Sequence, residues 1–390
     1  MRIFVSVAEA SADQHAAALV RTARRELPEA VFRGLTGPEL RRLGVETVCD
    51  LASHAAMLTG AVGLVGRAWS ALRRVERDWQ RHRPDLLLVL DSPEFHLPLA
   101  RRARRLGIPV LYYIAPQTWA SRPGRNRRIA RDVDHLACIL PFEEQYFRDV
   151  GVTATFVGHP LFETLAGQRP DADRVAAWRR DDRPVVALLP GSRRHVVAGV
   201  LPLQLRIMSE AARLGFDCRL LISAASHERE QQIRTCLAGS EQPAEVVCGD
   251  NASLISAADV VLVASGTATL HAAHYRKPMI VVYDAGRLAN AAYALAGRLV
   301  IKTPHFSLVN ILAQARVVPE FVPQVRDPAA VARLLVQLLN DAGWRRLMVS
   351  QIDQTVRPLE RTRASPNVCR IIRRLLGQAG PQAGQRQPRA

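Results

Sequence analysis

Short runs of β-branched residues and leucine alternate along this chain with longer stretches of alanine, arginine and leucine, a rhythm that predicts parallel strands joined by helices. Arg2–Val7, Val31–Leu35, Asp85–Leu90, Val110–Ile114, His135–Leu140 and Thr153–Val157 read as strands, with helices over Gln14–Leu27 and Leu99–Leu106. The run Leu86-Leu87-Leu88-Val89-Leu90 does not alternate, so helices should cover both faces of that strand. Gly, Pro, Asp and Arg dominate between about Leu165 and Arg183, which predicts a linker over 166–183. A second βα series follows, with strands at Val185–Leu189, Arg219–Ser223, Ala244–Val247, Val260–Ala264 and Met279–Tyr283. The expected class is α/β: two doubly wound Rossmann-like domains, over 1–165 and 184–345, facing a cleft. C-terminal helical sequence over 346–376 and a disordered tail over 377–390, rich in Gly, Gln, Pro and Arg, complete the chain.

Composition narrows the classes. A chain of 390 residues that is 48% hydrophobic can bury real cores, which excludes a disordered chain and a small disulfide scaffold. Its 53 Lys+Arg against 36 Asp+Glu give +17, yet only Lys277 and Lys302 are lysines, so the arginine excess fits a genome-wide codon bias. With 5% aromatics and no recognised motif, nucleic-acid binding ranks last. Six scattered cysteines without a C-x-x-C read as thiols of a reduced, cytosolic protein. No stretch reaches the roughly 18 apolar residues of a membrane span, and the first residues do not read as a signal peptide. Any membrane contact is therefore expected to be peripheral. The segment Ala56–Val75 mixes Met57, Leu58, Val62, Leu64, Val65, Trp69 and Leu72 with Arg67, Arg73 and Arg74, which by pattern suits a core-packing amphipathic helix ahead of a membrane surface, since Gly60, Gly63 and Gly66 weaken a free helix. Metal is not expected, because the D-x-D pairs at 132–134 and 171–173 are poorly placed and no histidine spacing resembles a zinc site.

In open α/β sheets ligands gather at the carboxyl ends of strands, so four loops carry the candidate chemistry. Gly191-Ser192-Arg193 follows a strand and opens a helix, which suits a pyrophosphate cradle or a structural turn with solvated arginines. Ser265-Gly266-Thr267-Ala268-Thr269 repeats the arrangement, and two such turns at one sheet edge are what a diphosphate-linked nucleotide requires. Neither turn has the dinucleotide or P-loop glycine pattern. Glu9, Ser11 and Asp13 follow the first strand, where a carboxylate binds sugar hydroxyls or a polar side chain caps a helix. Asp91, with Glu94 and His96 close behind it, ends the buried strand and is a candidate general base, or a strand-terminating turn residue.

Several ordered segments resemble the lipid-A-disaccharide synthase family, glycosyltransferases of the GT-B type. They include Glu9-Ala10-Ser11, Asp91-Ser92-Pro93-Glu94-Phe95, Tyr112–Ala120, Leu140–Glu144, Gly158-His159-Pro160, Leu189–Arg193, Ser265–Leu270 and Ser307–Asn310. The resemblance implies an inverting, metal-free transfer of diacylglucosamine from UDP to diacylglucosamine 1-phosphate, with no cofactor beyond the UDP-sugar substrate. It implies a UDP site of Gly191, Ser192, Arg193, Ser265, Gly266, Thr267, Ala268, Thr269, His271 and Asn310. It places the acceptor near Glu9, Ser11, Asp13, Asp91, Gln117 and Trp119, with Asp91 as base and Arg193 stabilising the departing diphosphate. Acylated, anionic substrates further imply peripheral attachment to the inner face of the cell membrane through the Ala56–Val75 segment. The family usually has Gly where this chain has Ala8 and Ala12, and Glu where it has Gly63, Val196 and His271. These departures leave open a related transferase with another donor or acceptor, or a binding protein that retains the fold.

Overall fold

The computed structural model describes residues 1–51, 61–239, 243–284 and 303–378, with the side chains of 61–65, 67 and 378 outside the description. It divides into two compact units: Met1–Thr164 together with the chain from Glu360 onward, and Leu165–Leu359.

The first unit is built on a seven-stranded sheet. Its strands are β1 (Arg2–Ser6), β2 (Val31–Thr36), β3 (Glu46–Asp50), β4 (Leu86–Leu90), β5 (Val110–Tyr113), β6 (His135–Cys138) and β7 (Ala154–Phe156). They lie in the order β3-β2-β1-β4-β5-β6-β7, and every pair is parallel. All five residues of β4 are buried, as its unbroken apolar run predicts. Two apolar layers flank the sheet because alternate side chains point to opposite faces. One contains Val5, Leu86 and Leu88 against Leu19 and Val20 of helix Ala10–Glu26; the other contains Phe4, Leu87 and Val89 against Trp79. The strand β3, Glu-Thr-Val-Cys-Asp, lacks an apolar run because it is a half-exposed edge, and the sequence pattern passed it over.

The second unit has β8 (Val185–Leu189), β9 (Arg219–Ala224), β10 (Ala244–Cys248), β11 (Val260–Ala264), β12 (Met279–Val282) and β13 (Glu320–Phe321). Their order is β10-β9-β8-β11-β12-β13, again all parallel. In each unit the strand order reverses beside the first strand, between β1 and β4 and between β8 and β11. That reversal opens a crevice at the carboxyl edge of a doubly wound sheet.

Two expected boundaries are corrected. The segment expected to link the units contains the helix Ala172–Trp178, capped by Asp171, whose carboxylate accepts from Asp173 N (3.0 Å) and Arg174 N (3.1 Å). Trp178 Nε1 donates to Glu245 Oε2 (2.8 Å) and Arg174 pairs with Asp250 (2.7 Å), so this stretch is packed into the second unit. The helical sequence expected over 346–376 is two helices, Ala342–Glu360 and Ala364–Gln378. The second belongs to the first unit, where Val368, Cys369 and Ile372 join the core and Ser365 donates from N and Oγ to Glu163 (2.8 and 2.6 Å). Of the tail expected over 377–390, residues 379–390 lie outside the described residues.

Candidate functional site

In the first unit, Asp91 is the residue that follows β4, and Glu9 lies just beyond β1, on the other side of the strand-order reversal. Asp91 N still donates to Tyr113 O (3.3 Å), so the ladder reaches the corner itself. Asp91 and Ser92 then adopt consecutive left-handed conformations, with φ of 53° and 45°. Such a conformation costs a non-glycine residue about 1–3 kcal/mol and persists where surroundings enforce it. Here the Asp91 carbonyl accepts from Tyr112 Oη (2.6 Å) and His96 Nδ1 (2.6 Å). Pro93 starts the helix Pro93–Arg105 directly afterwards, its fixed φ suiting the first helical position. Ser92 Oγ donates to Glu9 Oε1 (3.4 Å), so the structure brings Glu9 to the Asp91 corner. Glu94 turns away, exposed, and pairs with Arg122 and Arg125.

The other acceptor-side candidates divide. Ser11 and Gln117 are exposed, Gln117 in the turn that follows β5. Asp13 is buried and accepts from the backbone of Gly37 (3.0 Å), Glu39 (2.7 Å) and Leu40 (3.3 Å), capping the helix Pro38–Arg42. This corrects its placement as a ligand: its carboxylate is spent on the orphan amides of a helix start. Trp119 is half-buried, stacks edge-on against Phe142 (5.0 Å) and donates from Nε1 to Glu143 Oε1 (3.0 Å).

Glu143 was not singled out from sequence, although its position three residues after Leu140 fits a residue that reaches back over a helix start. Its Oε2 accepts from Ile139 N (3.2 Å) and Leu140 N (3.1 Å). Burial pushes its carboxyl up to about 7, against the opposing pull of these donors and Trp119. Because the folded value lies above the ordinary one of 4.5, Glu143 contributes stability below pH 4.5 that is lost as pH rises through 7. Glu143→Gln should therefore flatten the fall in Tm between pH 5 and 8 by roughly a few degrees, as followed by thermal melts; an unchanged slope refutes the shift.

In the second unit, the two turns leave adjacent strands, with Leu189 of β8 in register with Val263 of β11. Gly191 has φ of 106°, and a Cβ there would lie 2.8 Å from Val196 Cγ1, so the sharp turn from β8 into the following helix requires glycine. Ser192 and Arg193 are exposed at the start of a 20-residue helix, Arg194–Arg213, whose first amides favour an anion. Gly266, with φ of 130° and open space around it, and the exposed Thr267 present the second turn. Ser265 Oγ donates to Phe306 O (3.0 Å), tying that turn to the 303–307 segment. Ala268 begins the helix Ala268–His274.

Two residues assigned to UDP are instead interior. Thr269 is buried, and its hydroxyl donates to Gly266 O (2.8 Å), bracing the turn from beneath. Asn310 is fully buried; its amide donates to Val318 O (2.9 Å) and its Oδ1 accepts from Val317 N and Val318 N (2.9 Å each). Every polar atom of the Asn310 side chain is thereby committed to the backbone that leads into β13. His271 is half-buried, and burial together with His274 lowers its pKa to about 4, so it is neutral at pH 7.

The Ala56–Val75 segment is also divided. Met57 and Leu58 lie outside the described residues, as do the side chains of Val62, Leu64 and Val65. The helix Ala61–Arg81 buries Leu72 in the core with Val75 and Trp79, which corrects Leu72 as a membrane contact. Trp69 is 55% exposed with Arg73 over its ring at 5.4 Å. No described helix is long and apolar enough to cross a membrane. Among the described residues, His227, Glu230 and Cys248 bring their ligating atoms within 4.8 Å of one another, a grouping invisible in sequence because the pairing of β9 with β10 creates it.

A family model described as lipid-A-disaccharide synthetase matches residues 3–367. The chain is 35% identical over 358 residues to the lipid-A-disaccharide synthase of Syntrophus aciditrophicus, covering 90% of this chain and 91% of that one. It is 34% identical over 382 residues to the lipid-A-disaccharide synthase of Geobacter sulfurreducens, covering 97% and 98%. Among solved structures, the S. aureus MnaA-UDP co-structure matches with a TM-score of 0.65 at 14% identity, over 97% of this chain and 96% of that one, a likeness of fold. The match to the family runs through the Asp91 corner and both glycine turns, so the chain belongs to the lipid-A-disaccharide synthetase family of GT-B glycosyltransferases.

Proposed function

We propose that this chain transfers diacylglucosamine from UDP to the primary hydroxyl of diacylglucosamine 1-phosphate, with inversion and without a metal. The Asp91 corner carries the reading: a carboxylate at the end of a fully buried strand, in an enforced left-handed conformation, beside Glu9. Asp91 takes the proton of the acceptor hydroxyl as that oxygen forms its bond to the anomeric carbon. The bond from that carbon to the diphosphate breaks, and UDP leaves with the electron pair. Arg193, Ser192 and the amides of the Gly191 and Gly266 turns hold the diphosphate and disperse its growing charge. Glu9, Ser11, Gln117 and Trp119 line the acceptor side, and the exposed Trp69 with Arg73 contacts the inner face of the cell membrane.

Incubating the purified protein with both lipid substrates in mixed micelles tests the reading. The expected result is disaccharide and UDP in equal amounts, with added chelator having no effect. Absence of both products, beside an active control enzyme, rejects it. UDP release only with a different acceptor favours a transferase of other specificity, for which the Val196 and His271 departures are the motivating observation.

His271 supplies a second test. A neutral imidazole replaces the charged partner that family members usually offer to the donor, and a charged hydrogen bond contributes about 1.5–3 kcal/mol. His271→Glu should tighten UDP binding by roughly one to two powers of ten, as measured by calorimetry. Unchanged affinity would remove His271 from the donor site.

A further inference from the structure

We infer that His96 is a positioning residue for Asp91: from inside the first unit it joins β1, β4 and β5 at the Asp91 carbonyl and fixes the direction in which the carboxylate leaves the sheet. The inference rests on the reading of Asp91 as the base.

The geometry assigns every proton. The Asp91 carbonyl can only accept, so the ring proton of His96 is on Nδ1, which donates to it at 2.6 Å. Burial holds His96 down to about 4, so the ring is neutral and its Nε2 is an acceptor. Ser6 Oγ, 2.9 Å away, must then donate to Nε2. Tyr112 Oη donates to the same Asp91 oxygen at 2.6 Å. Tyr112 lies in β5 and His96 in the first turn of the helix Pro93–Arg105, so two elements meet at one carbonyl, while Ser6, which ends β1, holds His96 from behind. Both donors bind the peptide group between two residues held at positive φ, where an L-residue stays only when its surroundings require it. Ser6, His96 and Tyr112 are all buried, so water cannot substitute for a missing donor. Releasing the carbonyl would let the corner relax and swing the carboxylate off its line to the acceptor hydroxyl.

The test is a double-mutant cycle with a rescue. His96→Leu removes the donor, and His96→Asn restores it, because the Asn amide nitrogen stands the same number of bonds from Cα as Nδ1. His96→Leu should lower kcat roughly tenfold to a hundredfold with KM little changed, and His96→Asn should recover most of that loss. In an Asp91→Asn background, His96→Leu should leave the residual rate within about twofold, since a residue that acts through the carboxylate has nothing left to position. An unchanged kcat in folded His96→Leu, a failure of Asn to rescue, or an equal loss in both backgrounds would overturn the inference. Should His96→Leu fail to fold, Tyr112→Phe removes the other donor without changing the packing shape; a lower kcat with unchanged KM supports the inference and an unchanged kcat overturns it. Asp91→Asn with wild-type kcat would instead show that Asp91 is not the base, an outcome distinct from an inactive Asp91→Asn beside a fully active His96→Leu.

Discussion

Asp91→Asn is expected to lower kcat by roughly 10²–10⁴-fold, the usual contribution of a positioned general base. The substitution keeps the size of the side chain and the backbone carbonyl that Tyr112 and His96 hold, so the left-handed corner should survive. What it removes is the carboxylate proposed to take the proton of the acceptor hydroxyl. The donor KM should stay near wild type, because the Gly191 and Gly266 turns, proposed to hold the diphosphate, belong to the second unit. Steady-state UDP release at saturating lipid, with a melting curve to show that the variant is folded, gives the answer. A folded variant that retains more than about a tenth of the rate would mean that another group accepts the proton.

Gly34→Ala should abolish stable folding of the first unit, or cost at least about 3 kcal/mol, the upper range for overpacking a core. Gly34 lies in β2 in register with Val5 of β1. A Cβ at this position would stand 1.8 Å from Val5 O and 2.9 Å from Val5 N. Those atoms are backbone, so no side-chain rotation relieves the clash; β1 and β2 would have to separate. β1 also carries Ser6 into the His96 contact and leads into the Glu9 loop, so activity should fall with stability. Urea unfolding checks it: a variant within about 1 kcal/mol of wild type would show that the sheet tolerates a wider spacing there.

Much of the architecture was legible because hydrophobic burial leaves a local mark. The unbroken apolar runs at Leu86–Leu90 and Val260–Ala264 read as strands, the first as one covered on both faces, and both are fully buried strands. The edge strand Glu46–Asp50 and the two-residue strand Glu320–Phe321 were missed for the complementary reason. Strands held by one neighbour, or by a single short pairing, need few apolar residues. The linker expected over 166–183 is polar in sequence, but its helix is fixed by Trp178 and Arg174 reaching partners more than sixty residues away. Polar composition marked exposure there, not the absence of structure.

At the site the division is sharper. Sequence placed Asp91, Glu9, Gly191, Ser192, Arg193 and Gly266 at the carboxyl ends of strands, because a strand followed by a small polar turn is a local pattern. It could not separate Asp13 and Thr269, just past strand ends, or Asn310, named through the family resemblance, from them, since an Asp, Thr or Asn serves a ligand or the backbone equally well. The decision lies in distant partners: Asp13 meets Gly37, Glu39 and Leu40, and Asn310 meets Val317 and Val318. Nor could it find the hold of Ser6, His96 and Tyr112 on Asp91, whose members come from three separate elements. By itself the sequence determined the two doubly wound units and the loops that end their strands, because periodicity and turn chemistry act over a few residues. Only the tertiary structure decided which polar groups in those loops remain available for chemistry, because a buried polar atom must find a partner wherever the fold supplies one.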